Sequence, residues 1–392
     1  MEKSDFEIPY GRQDISQVDI DAVADVLRSD FLTQGPAVVK FEQAVATYCG
    51  VQHAVSANSA TSALHLACLA LGLGSGDRLW TSPITFVASA NVGLYCGADV
   101  DFVDIDPLTY NMSVDCLEEK LVAAEIEGKL PKVVMPVHLC GQSCDMARIY
   151  DLSQQYGFKI IEDAAHAIGG KYKEEPIGSC HYSDVTVFSF HPVKIITSGE
   201  GGMVLSNSSE LAQRMSELHS HGITRNTAAM KARPEDEIWN YQQTELGFNY
   251  RMTDMQAALG SSQLARLDEF VQERHNIACS YEEQLDGLPV ELPWQHPDTW
   301  SSYHLYPIRI REAEAGKTQK QIYASFWNAQ IKVNLHYIPV YRQPYYEAMG
   351  FVAGYCPAAE DYFKEAISLP MFPTLSDANL ERVVAVLKEA LT

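Results

Sequence analysis

The chain has 392 residues, 46% of them hydrophobic and 20% charged, with a formal net charge of −22 at pH 7. That length can bury a large core and predicts more than one domain. The acidic balance argues against a nucleic acid or an anionic membrane as partner, so any positive charge that meets an anionic substrate must be local to a site.

The N-terminus carries no apolar leader, and no segment has membrane-spanning length; residues 62–73 are too short and hold His65. The nine cysteines lack paired zinc spacing, so no metal site is expected. Cys140 and Cys144 have no matching pair elsewhere, and Cys68 and Cys96 read as buried thiols. A cytoplasmic location is expected.

In chain order, residues 51–56 read as a strand and 59–71 as a helix with Leu64, Ala67, Cys68 and Leu71 on one face. Strands are expected at 78–81, 100–103, 133–137, 158–161, 185–190 and 203–206, with helices at 86–95 and 147–156 among them. Such alternation predicts an α/β fold: a large, mostly parallel sheet with helices on both faces. The polar run 222–237 reads as a mobile loop. A long helix around 254–272 then leads to a strand at 303–310, a helix at 317–328, a short strand at 332–335 and a closing helix at 380–391. The expected organisation is an N-terminal arm (1–30), a large α/β domain (31–255), and a bridging helix with a smaller C-terminal α+β domain (256–392).

Several places on these elements suit chemistry. Asn58-Ser59-Ala60-Thr61-Ser62 joins a strand to a helix. Its small residues, the free N–H groups of the helix start and the Thr61 hydroxyl suit a phosphate, although Ser and Thr are also ordinary helix caps. Ile160-Ile161-Glu162-Asp163 is an apolar strand closed by two acids, and ligands of open α/β sheets collect at such ends. Alternation sends the two acids to opposite faces, and we assign Asp163 to the ligand side. Ser189 and His191 share a face of a later strand; Ser189 would donate to a phosphate, and His191 reads equally as packed or catalytic. His166 approaches Asp163 if a helical turn starts there, and is otherwise a surface histidine.

Lys194 stands in Phe188-Ser189-Phe190-His191-Pro192-Val193-Lys194, with Gly199, Gly201 and Gly202 permitting a tight turn beyond it. A lysine among apolar residues, with a carboxylate at an earlier strand end, is what pyridoxal phosphate (PLP) requires. The amine forms a Schiff base, and the acid keeps the pyridine nitrogen protonated. An ordinary loop lysine satisfies the same local pattern.

Together these motifs resemble the DegT/DnrJ/EryC1/StrS family of PLP-dependent nucleotide-sugar aminotransferases, from Tyr10 to the last helix. The resemblance implies the PLP-dependent transferase fold (aspartate aminotransferase-like, type I). It makes Lys194 and Asp163 catalytic, with His166 beside them, and puts Ala60, Thr61 and Ser189 on the cofactor between Phe86 and Ala165. The run Gly247-Phe248-Asn249-Tyr250-Arg251-Met252-Thr253-Asp254 resembles a hallmark whose asparagine, here Asn249, reaches the phosphate in the neighbouring subunit's site. A homodimer with shared active sites is therefore implied. Leu32-Thr33-Gln34-Gly35-Pro36 looks like the family's substrate loop, which nominates Thr33. Arg225, His336 and Tyr337 are further substrate candidates, set against a solvated arginine and packed aromatic residues.

Pro83-Ile84-Thr85-Phe86-Val87-Ala88-Ser89-Ala90-Asn91, His304-Leu305-Tyr306-Pro307 and His336-Tyr337-Ile338-Pro339-Val340-Tyr341 are similar to the pseudaminic acid branch. That implies transfer of the amino group of L-glutamate to C4 of a UDP-4-keto-6-deoxy-N-acetylhexosamine, by ping-pong steps. Branches that dehydrate sugars replace the lysine with histidine, and Lys194 argues against that chemistry. The alternatives are another UDP- or dTDP-linked 3-keto or 4-keto sugar, or a non-catalytic regulatory or binding protein with an aminotransferase-like domain. The second often carries a basic helix-turn-helix extension, which is not seen in this sequence. A nicotinamide dehydrogenase would need a Gly-x-Gly-x-x-Gly turn, which residues 58–62 are not.

Overall fold

The computed structural model describes residues 7–232 and 237–392. Residues 1–6 of the expected arm and 233–236 of the expected polar loop lie outside the described residues. Strands β1 (His53–Ala57), β2 (Arg78–Thr81), β3 (Asp99–Phe102), β4 (Val133–Met135), β5 (Lys159–Asp163), β6 (Val185–Ser189) and β7 (Gly202–Ser206) build one sheet, ordered β1-β7-β6-β5-β4-β2-β3. The pairings β6-β5, β5-β4, β4-β2 and β2-β3 are parallel, and β7 is antiparallel to both β1 and β6. The β6–β7 connection holds the Lys194 turn and no helix, so the chain doubles back instead of crossing over. In consequence the carboxyl ends of β1, β2, β5 and β6 and the amino end of β7 share one sheet edge.

Helix α1 (Gln17–Arg28) packs on the helix at Asp254–Leu264, and α2 (Pro36–Cys49), α3 (Ala60–Ala70), α4 (Ala88–Tyr95), α5 (Val114–Glu127), α6 (Met146–Tyr156) and α7 (Ser209–Leu218) surround the sheet. On one face Leu64, Cys68 and Val92 of α3 and α4 pack with Val100, Val133, Ile161 and Val187. On the other, Leu117 and Leu121 of α5 and Ile149 of α6 pack with Val134 and Ile160. Sandwiched strands carry apolar side chains on both faces, which is why β4 and β6 read as near-continuous apolar runs. The helix expected from residue 86 begins at Ala88, leaving Phe86 outside it and 61% exposed. Cys68 is buried, but Cys96 is only partly so.

The single helix expected around 254–272 is two, α8 (Asp254–Leu264) and α9 (Leu267–Leu285). The break falls at Ala265–Arg266, where the Arg266 backbone turns to φ −108°, ψ 8°. Its guanidinium reaches Asp14 and Asp19 of the N-terminal segment at 2.8 and 2.7 Å. Beyond α9, strands β8 (Val290–Glu291), β9 (Tyr306–Ile310) and β10 (Ala366–Leu369) form an antiparallel sheet. It shares a second core with α9, α10 (Gln319–Asn328) and α11 (Asp377–Leu391). The strand expected at 332–335 is reduced to an isolated bridge, Asn334 to Ser368. Ile8 enters this second core, so the start of the described chain is tied to its C-terminal part. Among the described residues no helix is long and apolar enough to cross a membrane, and no group of three or more side chains is arranged to hold a metal ion.

Candidate active site

At the shared sheet edge the start of α3 lies against β7. A Cβ on Gly202 would sit 2.6 Å from the Ala60 nitrogen and the Ser59 carbonyl oxygen, so glycine is what permits this approach. The Ser59 hydroxyl caps α3 by accepting the Ser62 N–H at 3.1 Å. The N–H groups of Ala60 and Thr61, in the first turn, have no intrahelical acceptor. Ser189, last in β6, accepts the His191 N–H at 3.4 Å, and its own proton remains for an acceptor in the cavity.

β5 sends its two acids to opposite sides, as strand alternation requires. Glu162 takes His138 Nε2 at 2.7 Å and the Ser183 and Thr186 hydroxyls at 2.5 and 2.8 Å. Asp163 faces the other way. It accepts the Ser89 hydroxyl at 2.6 Å on one oxygen and the Ala165 N–H at 3.1 Å on the other. The Thr85 and Ser89 hydroxyls are 2.7 Å apart.

A cavity of about 460 Å³ opens between these elements, a size usual for small-molecule sites. Its wall combines Ala60, Thr61 and Ser189 with Asp163 and Lys194. Phe86 and Ala165 also line it, as do His166, His336 and Tyr337. Burial lowers the Lys194 amine from its ordinary value to about 8, an effect that the charge of Asp163 opposes. Lys194 has no ion-pair partner among the described residues, and an amine so placed is unusually nucleophilic near neutrality.

The three histidines near it are kept neutral. His166 is not at the surface, nor hydrogen-bonded to Asp163. Its Nδ1 accepts the Cys140 N–H at 3.2 Å, and its Nε2 meets the Tyr337 hydroxyl at 3.2 Å. Burial, then the charges of Lys194 and His336, push it well below the usual range. His304, whose ring centre lies 4.4 Å from that of His166, is pushed down chiefly by burial. His336 falls to about 3 through burial and Lys194. The Asn334 amide donates to its Nε2 at 3.2 Å, so Nδ1 carries the proton and donates to the Ser368 hydroxyl at 2.9 Å. His191 is exposed at the rim, 4.0 Å from Glu200, so it is not a packed core residue.

Three expected residues are not brought to this cavity by their own chain. Thr33 is exposed and bridges Thr253; Arg225 is exposed; Asn249 is exposed and bridges Ser220. The sequence reading also missed residues that are here. Tyr10 lines the cavity with its ring 5.4 Å from that of His336, and nothing local marks it. Thr85 precedes the helix that carries Ser89, so no helical spacing links the two hydroxyls and nothing in the sequence marked the pair.

The donor set fits PLP. Free N–H groups and a hydroxyl suit a phosphate, a carboxylate suits a pyridine nitrogen, an amine suits an aldehyde, and an aromatic ring and a small residue suit the faces of a flat ring. A model of the DegT/DnrJ/EryC1/StrS aminotransferase family matches residues 13–388. The chain is 37% identical over 365 residues to the UDP-4-amino-4,6-dideoxy-N-acetyl-β-L-altrosamine transaminase of Campylobacter jejuni, covering 93% of this chain and 92% of that protein. It is 36% identical over 392 residues to the spore coat polysaccharide biosynthesis protein SpsC of Bacillus subtilis, covering 99% and 98%. Among solved structures, Helicobacter pylori PseC, an aminotransferase involved in the biosynthesis of pseudaminic acid, superposes with a TM-score of 0.88 at 30% identity, covering 98% and 99%. The chain belongs to the DegT/DnrJ/EryC1/StrS aminotransferase family, has the PLP-dependent transferase fold, and is a PLP-dependent nucleotide-sugar aminotransferase.

Proposed function

We propose that this aminotransferase moves the amino group of L-glutamate to C4 of a UDP-4-keto-6-deoxy-N-acetylhexosamine, acting as a UDP-4-amino-4,6-dideoxy-N-acetyl-β-L-altrosamine transaminase of pseudaminic acid formation. The observation that carries the chemistry is the single cavity holding Lys194, Asp163 and the start of α3. The likeness to the Campylobacter enzyme and to PseC supports the sugar.

Bound PLP supplies an aldehyde and an electron sink for charge developing on the amino donor's α-carbon. Lys194 attaches the cofactor. Its freed Nζ then moves the proton at the α-carbon of L-glutamate and, in the second half-reaction, delivers a proton at C4 of the sugar. Asp163 accepts from the pyridine nitrogen and keeps it protonated. Ala60, Thr61 and Ser189 donate to the phosphate, and Phe86 and Ala165 bound the ring. His166, neutral, carries its proton on Nε2 and orients Tyr337, leaving the phenol proton for substrate. Thr33, Arg225, His336 and Tyr337 are our candidates for substrate contacts.

We further propose a cytoplasmic homodimer in which Asn249 completes the neighbouring subunit's phosphate site. Two observations support the shared site: Asn249 is exposed and outside its own cavity, and Lys194 is the one Lys or Arg among the described residues lining it. A nucleotide diphosphate needs more positive charge than that.

A second reading, another UDP- or dTDP-linked keto sugar, is favoured by the 34% identity to the UDP-4-amino-4-deoxy-L-arabinose–oxoglutarate aminotransferase of Shewanella sediminis, close to the 37% of the Campylobacter enzyme. The test is spectroscopic. L-Glutamate should bleach the cofactor's visible band, and the UDP-4-keto-6-deoxy-N-acetyl sugar should restore it with product NMR showing amination at C4. Restoration by a dTDP-keto sugar instead would select the second reading. With both substrates varied, initial-rate plots should be parallel lines, and intersecting lines would rule out the two-step scheme.

A further inference from the structure

We propose that Ser89, backed by Thr85, is a positioning residue that sets the carboxylate of Asp163 for the cofactor. The inference rests on the reading of Asp163 as the partner of the pyridine nitrogen and adds residues to which that reading assigns nothing. Ser89 is fully buried, between Ala88 and Ala90 on a helix that otherwise packs apolar side chains into the core. An alanine would suit that packing, and a buried hydroxyl is costly unless it is bonded.

The direction of each bond follows from proton counting. An ionised carboxylate only accepts, so the 2.6 Å contact is Ser89 Oγ–H donating to Asp163 Oδ2. That uses the one proton of Ser89. The 2.7 Å contact with Thr85 must therefore be Thr85 donating to Ser89. The carbonyl of Phe86, 3.3 Å from Ser89 Oγ, is a longer and uncharged competitor for the same proton. The result is a relay, Thr85 to Ser89 to Asp163, in which each hydroxyl polarises the next. With the Ala165 N–H on Oδ1, both carboxylate oxygens are held and the plane of the group is set. The relay also joins the acid to the turn that carries Phe86, since the Ser89 N–H donates to the Phe86 carbonyl at 3.2 Å. One helix start thus places two elements of the cofactor site.

The test compares Ser89→Ala, the near-isosteric Thr85→Val, Asp163→Asn, and the double variant Asp163→Asn/Ser89→Ala. Affinity for PLP is measured by equilibrium dialysis of the cofactor-free proteins, and kcat and KM on the reconstituted enzymes. Ser89→Ala should weaken PLP binding severalfold and lower kcat on the order of tenfold, with KM for both substrates nearly unchanged, because it touches neither substrate. Thr85→Val should act in the same direction and less. In the Asp163→Asn background Ser89→Ala should add nothing, since residues that act through one another are not additive. Additive losses, or parental affinity and kcat in Ser89→Ala beside an impaired Asp163→Asn, would overturn the relay. Parental behaviour of Asp163→Asn would instead overturn the assignment of the acid itself.

Discussion

Lys194 is held where burial and charge conflict. Its amine titrates near 8 in the folded chain against an ordinary 10.5. Between those values the unfolded chain binds a proton that the folded chain has released, so the stability of the cofactor-free protein should rise with pH across that window. Below about 8 both states are protonated, and the cost of holding a half-buried ammonium in the cavity wall remains. Lys194→Met keeps the volume and removes the charge. Without cofactor it should be more stable than the parent at pH 7, with the advantage shrinking as pH rises towards 10.5. Urea unfolding at several pH values measures this, and a pH-independent difference would contradict it. The same variant should bind PLP without covalent attachment and show no transamination. At this scale the sequence was legible where the rule was local: strand alternation separated Glu162 from Asp163 without any structure. It offered His166 only a helical-turn approach to Asp163 or the surface, and the ring is at neither, because the groups that fix it lie 26 and 171 residues away.

Among the elements, α2 depends on a cap that no local pattern announces. Its N-cap is Gly35, which has no side chain to accept the first amides. A Cβ there would lie 2.7 Å from Asp254 Oδ1 and would collide with Phe31, so a serine cap is sterically excluded. Asp254, first residue of α8, supplies the acceptors instead, taking the Gly35 and Ala37 N–H groups at 2.8 and 2.9 Å. Its charge also faces the positive end of the α2 dipole. Asp254→Ala should therefore destabilise the protein by about 2–3 kcal/mol, more than an ordinary cap, because two charge-assisted bonds are lost from a buried site. Asp254→Asn, which keeps an acceptor, should lose less. Chemical denaturation of the two variants orders them, and equal losses would mean the charge is unimportant. The same long-range tie explains the misread helix. The apolar period runs on past residue 264, and what breaks it is the pairing of Arg266 with Asp14 and Asp19, about 250 residues earlier. Most strands of the large sheet were legible because they are buried on both faces; the bridge at Asn334 was not, because a single ladder contact leaves no period to read.

For the whole molecule the question is how an acidic chain binds an acidic substrate. With a net charge of −22 and Lys194 as the one Lys or Arg among the described residues of the cavity wall, a single chain supplies little to hold a nucleotide diphosphate. The exposed Asn249 stands outside its own cavity, on a segment bridged to Ser220. In a two-fold dimer a surface that leaves one site incomplete can complete the other, because each subunit gives what it receives. The sequence carried this only through resemblance, since no periodicity or spacing within one chain marks a contact between two. Complementation tests it. Lys194→Ala and Asn249→Ala should each be strongly impaired alone. If sites are shared, a mixed dimer has one site with both defects and one with the intact Lys194 of one chain and the intact Asn249 of the other. Random exchange of equal amounts makes half the dimers mixed, each with one working site, so activity should recover to about a quarter of the parental value. If each chain completed its own site, every site in the mixture would still carry a defect. The mixed preparation would then be no more active than the average of the two variants assayed apart.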